Sequence, residues 1–170
     1  MTMIDLEHEL VEDYRTARGA APADAEPAGP RARLAPGHER GFMLAGRAVF
    51  TVLNTATGNR FTFKITTATP SPRYPVPAWF VGVLTGPNNE GDYRYLGMIR
   101  GGQFQATART AVATGAPSFM AFNWLWRHVD ALPASVEIYH EGRCGHCGRA
   151  LTVPESVVTG LGPVCAGKGV

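Results

Sequence analysis

All three cysteines of this 170-residue chain, Cys144, Cys147 and Cys165, fall in its last thirty-one residues. Cys144 to Gly148 form a C-x-x-C-G turn, the spacing at which two thiolates can grip one tetrahedral Zn²⁺. Glycines there let backbone amides turn back toward the sulfurs. Seventeen residues separate Cys147 from Cys165, which closes a Gly162-Pro163-Val164-Cys165 turn. The intervening segment carries helix signals. Thr152 and Glu155 have capping-box spacing, Pro154 suits a first turn, and Gly160 can end a helix in the left-handed conformation. The order is knuckle, short helix, tight turn, third ligand, which predicts a treble-clef-like zinc module.

Structural zinc usually takes four protein ligands, so a fourth donor is required. His140 is the first choice, because it ends an expected strand over 136–139 and three residues separate it from Cys144. His146 lies between the knuckle cysteines, where its side chain is expected to point away from a metal they share. A water is the third alternative, and an open position of that kind is the arrangement of catalytic zinc. Other cysteine chemistries fit less well. A redox dithiol sits at a helix start after a strand, whereas here the helix begins several residues later. A disulfide would leave one cysteine over, and the N-terminus lacks the basic-then-apolar order of a signal peptide.

The stretch Cys144-Gly145-His146-Cys147-Gly148-Arg149, with Leu151-Thr152 and Pro154-Glu155-Ser156, then Gly160, Gly162-Pro163 and Cys165, resembles a family of short zinc-binding segments of unknown function. Members occur in bacterial and phage proteins, often at the end of a longer chain. The resemblance covers about the last thirty residues. It implies metal binding and a bacterial or phage setting, and no established activity.

Catalytic constellations are thin elsewhere. There is no G-x-S-x-G, no Gly-rich phosphate loop with Lys and no H-E-x-x-H. His140-Glu141 beside the knuckle fails the H-x-E…P-C-x-x-C deaminase signature in order and spacing. A non-enzymatic protein is expected. Arg60, Lys64, Arg94 and Arg100 on strands, with Arg143, Arg149 and Lys168 around the cysteines, are candidate contacts to DNA or RNA phosphates. Trp79, Tyr93, Tyr95, Trp124 and Trp126 are available for base stacking, although aromatics at strand and helix spacing are more often core. The alternative is an accessory factor that engages a host protein through an N-terminal arm or the zinc module.

The elements that must position these residues are legible in the periodicity. Residues 1–18 place Ile4, Leu10, Val11 and Tyr14 at helical spacing among acids, a possible acidic amphipathic helix. Residues 19–40 are Ala/Pro/Gly-rich and read as a flexible linker. Residues 41–139 read as an antiparallel sheet plus a helix, and 140–170 as the zinc module. Within the sheet domain, strands are expected over 48–53, 60–66, 79–84, 93–100 and 103–107, with Phe119, Phe122 and Trp126 on one helix face. The fold class is α+β: an antiparallel β-meander packed by one helix, with the knuckle at its end. Residues 1–40 carry five basic against eight acidic residues, and 41–170 eleven against six, so the folded part is mildly basic. No run of eighteen apolar residues exists, which excludes a helical membrane span and leads to a cytoplasmic expectation.

Overall fold

A computed structural model describes residues 32–168. The expected helix over 1–18, residues 19–31 of the expected linker, and Gly169 and Val170 lie outside the described residues. The chain forms β1 (Ala32–Arg33), α1 (Glu39–Leu44), β2 (Arg47–Asn54), β3 (Arg60–Thr67), β4 (Ala78–Leu84), β5 (Tyr93–Arg100) and β6 (Gln103–Gln105). Then follow α2 (Pro117–His128), β7 (Val136–His140), α3 (Pro154–Thr159) and α4 (Pro163–Ala166). All strands join one antiparallel sheet of order β1-β7-β2-β3-β4-β5-β6. The α+β class and the meander from β2 to β6 are therefore as the alternation predicted. Among the described residues, no helix is long and apolar enough to cross a membrane.

The sheet buries the face that period-two patterning chose. Phe63 and Ile65 on β3 are fully buried, Phe61 is partly so, and Phe50 pairs across with Phe63 at 6.0 Å between rings. Helix α2 begins with Pro117, whose fixed φ and missing N–H suit a first turn. It lays Phe119, Phe122, Leu125 and Trp126 on that face, with Phe122 5.0 Å from Phe63 and 4.7 Å from Phe104. Two indoles that pack in or against the core find acceptors: Trp126 Nε1 donates to Gly102 O, and Trp79 Nε1 to Leu44 O, each at 3.0 Å.

Two features depart from the sequence reading. First, β7 does not simply trail the helix; it inserts between β1 and β2, pairing Phe50 with His140 on one side and Ala32 with His140 on the other. Second, residues 32–40 are not linker. Ala32–Arg33 pairs with β7, Leu34 is buried, and helix α1 starts at Glu39. The physical reason is local. The free edge of β7 needs partners for its backbone groups, and Leu34 N supplies one by donating to Ile138 O at 2.8 Å. A stretch with few apolar residues of its own is still ordered when a neighbour offers an edge.

Candidate metal centre

His140 ends β7 and Gly142, at φ 68°, turns the chain into the knuckle. Arg143 and Ala150 form an isolated bridge, and Cys144 N donates to Arg149 O at 2.8 Å. Gly148 (φ 76°) donates its N–H back to Cys144 O at 2.9 Å, which closes the turn between the first two cysteines. Helix α3 then ends at Gly160 in the left-handed conformation, φ 74°. The Gly162–Pro163 turn starts α4, where Cys165 N and Ala166 N both donate to Gly162 O.

These turns bring the thiols of Cys144, Cys147 and Cys165 to within 4.8 Å of one another. A tetrahedral zinc with bonds of about 2.3 Å would hold its sulfurs about 3.8 Å apart, a separation within that limit. The electrostatics also suit a cation. Burial pushes the Cys144 thiol up, but the backbone amides of Gly162, Cys147 and His146 and the Cys147 thiol outweigh it, leaving it at about 7. Gly162 N lies 3.3 Å from Cys144 Sγ. Cys165 is pushed up to about 11 by burial and by its hydrogen bonds and charge interactions with Cys144 and Cys147. Thiols this close oppose ionising together, and a divalent cation removes that opposition.

His140 is not part of this cluster, which corrects its assignment as first-choice ligand. It is fully buried, Nδ1 accepts from Gly142 N at 3.0 Å, and Nε2–H donates to Val157 O at 2.7 Å. Its ring lies 5.5 Å from that of Phe42. The imidazole is therefore a neutral strut between β7 and α3. Burial holds its pKa below the usual value, while the Val157 bond opposes that shift. The unfolded chain thus binds more protons than the folded one below about pH 6.5. Stability should fall as pH drops through that window toward the depressed folded pKa. Denaturant midpoints across pH 5–7 at fixed metal should show a flatter slope in His140→Asn than in wild type; equal slopes would contradict this account.

His146 also stays outside the thiol group: its Nδ1 lies 2.7 Å from Ala45 O, with the side chain exposed. The capping box does not form either. Val153 is the N-cap, with no side-chain cap bond, and Thr152 is exposed. Pro154 fixes the helix start, so Glu155 falls one position too early to complete the box.

The module is seated on α1 through Phe42, a residue that the sequence patterning did not single out. A Cβ on Gly145 would lie 2.8 Å from the Phe42 ring, and one on Gly160 would meet both Phe42 and Leu34. Gly145 N donates to Gly160 O at 3.0 Å, and Arg47 N donates to Gly145 O at 2.6 Å. The signal that was present is the pair of glycines, one inside the knuckle and one after α3.

The candidate phosphate contacts divide into two groups. Arg143, Arg149 and Lys168 are exposed on the module, and Arg47, not singled out by the patterning, is exposed at the start of β2 beside the knuckle. The sheet residues are spread along β3 and β5. Arg94 and Arg100 lie near opposite ends of β5, and Arg60 starts β3. Lys64 Nζ sits 5.3 Å over the Tyr93 ring, which itself lies across Gly82. The Tyr93 hydroxyl is buried without a hydrogen-bond partner among the described residues, and is pushed up to about 12 by burial and then by the Glu141 charge. Tyr93 is thus a cross-strand cover for a glycine rather than an open stacking platform. Trp79 and Trp124 pack partly buried against the core, and Trp126 lies within it.

Residues 134–168 match the model of a family described as a family of unknown function, DUF6011. The match includes β7 and the module as far as Lys168. No curated protein and no solved structure matches the chain.

Proposed function

We propose that Cys144, Cys147 and Cys165 hold a structural zinc ion, and that the protein binds nucleic acid through the basic surface this ion holds in place. The observation that carries the reading is the convergence of the three thiols to within 4.8 Å on a module whose glycines seat directly on Phe42. The zinc fixes the knuckle against α1 and β2, and Arg47, Arg143, Arg149 and Lys168 stand exposed around it. Exposed guanidinium groups on a rigid turn suit phosphate contacts that position a polyanion without reading its sequence. A reducing compartment such as the cytoplasm keeps the thiols available for metal. A bacterial or phage setting is what the motif's resemblance implies.

A fluorescence titration with labelled single- and double-stranded oligonucleotides tests this. Binding should weaken steeply with salt. Arg143→Ala/Arg149→Ala should lower both affinity and salt slope, by about one unit of slope for each phosphate no longer neutralised. A second reading is favoured by the apolar residues. Val153, Val158 and Val164 are 45%, 45% and 73% exposed, and all three belong to the module. Large exposed aliphatics on a small rigid unit suit a protein partner. No binding to any oligonucleotide at low salt would reject the first reading in favour of this one.

A further inference from the structure

The cysteine cluster offers three donors, and the chemistry of the remaining position can be argued from what surrounds it. The two imidazoles nearest in sequence are held elsewhere by backbone hydrogen bonds: His140 between Gly142 and Val157, and His146 on Ala45. Among the described residues, the group able to share one ion consists of Cys144, Cys147 and Cys165 alone. Exposure across it is uneven. Cys144 is 1% exposed and receives the Gly162 amide, Cys165 is partly buried, and Cys147 is exposed. The sulfur triangle therefore has a protein side, closed by the Gly162 turn, and a solvent side at Cys147.

Charge then selects the donor. Three thiolates on a divalent ion leave one net negative charge. A further thiolate would add a second net negative charge, whereas a neutral donor adds none; water is the neutral donor always at hand, and imidazole, a better zinc ligand, displaces it. We infer that the fourth position of the three-cysteine metal site opens to solvent beside Cys147 and takes an exchangeable neutral nitrogen donor of the imidazole class. This inference rests on the metal reading proposed above. It makes the module a place where a ligand from outside the fold attaches directly to the metal.

The test uses the full-length chain with Co²⁺ as the bound metal, since cobalt reports its ligands in visible absorption. The thiolate-to-metal band counts sulfurs, and the ligand-field bands report the remaining donor. Imidazole itself is the probe. Titrating it should shift the ligand-field bands saturably and leave the thiolate band in place, and equimolar chloride should do neither. His146→Ala and His8→Ala (His8 lies outside the described residues) should give wild-type spectra before imidazole is added. Ligand-field bands indifferent to imidazole, or a spectrum changed by either variant, would overturn the inference, because a donor from the chain would then fill the position. Failure of the metal reading looks different: no Co²⁺ uptake, or no thiolate band at all.

Discussion

Stripping the metal from the full-length chain is expected to unfold the module over residues 141–168 and leave the β2–β6 meander folded. The module cannot stand without the ion. Its helices span six and four residues, far below the length at which an isolated helix is stable. Val153, Val158 and Val164 are exposed, and Leu151, Val157 and Leu161 are only partly buried, so its aliphatics contribute little burial. Structural zinc in comparable peptides supplies an apparent free energy of about 10–16 kcal/mol, and that binding energy is folding energy. The meander depends on other groups. Phe50, Phe63, Ile65, Val81 and Leu96 form one buried cluster with Phe119, Phe122 and Leu125 of α2, a cluster to which none of the cysteines belongs. Hydrogen exchange with and without a chelator should show protection lost in 141–168 and kept in β3–β5. Cys144→Ser should reproduce the chelated pattern without any chelator. Protection unchanged throughout, or lost throughout, would contradict the division.

The second large effect is expected at Phe42. This residue is 1% exposed, and its ring lies against Phe50 at 6.3 Å and His140 at 5.5 Å. The same ring fills the space that the missing side chains of Gly145 and Gly160 leave open. Phe42→Ala should destabilise the chain by about 3–5 kcal/mol, the usual cost of truncating a buried phenylalanine where the surroundings cannot collapse. It should also weaken metal retention, because the knuckle loses the surface on which Gly145 rests. Phe42→Leu keeps most of the volume and should cost less. Denaturant unfolding, paired with competition against a chelator of known affinity, measures both effects. A Phe42→Ala protein with wild-type stability and wild-type metal retention would show that the module is not seated there.

The parts of this fold that were legible in sequence are those whose causes are local. The alternation of Arg60 to Thr66 sets the β3 faces, Gly101-Gly102 sets the β5–β6 turn, and Phe119, Phe122 and Trp126 set the α2 face. The three cysteines were legible for the same reason, since turn glycines and spacing determine where the thiols go. What was not legible depends on partners remote in sequence. Ala32–Arg33 becomes a strand only because β7 offers it an edge more than a hundred residues later. His140 had the right residue type and position for a ligand, yet a hydrogen bond to Val157 and the Phe42 ring set its role. The capping box failed through a local competition, Pro154 placing the N-cap one residue beyond Thr152. For the basic strand residues, alternation assigns a face but not a position along the sheet: Arg94 and Arg100 lie near opposite ends of β5.

Metal content is the most direct test of the account. Full-length protein purified without added metal, together with Cys165→Ser and His140→Asn, would be assayed by elemental mass spectrometry and by native mass spectrometry. The account predicts one zinc per wild-type chain, its loss in Cys165→Ser, and its retention in His140→Asn at neutral pH. Wild-type protein without stoichiometric metal would contradict the central claim, as would zinc that survives the loss of Cys165.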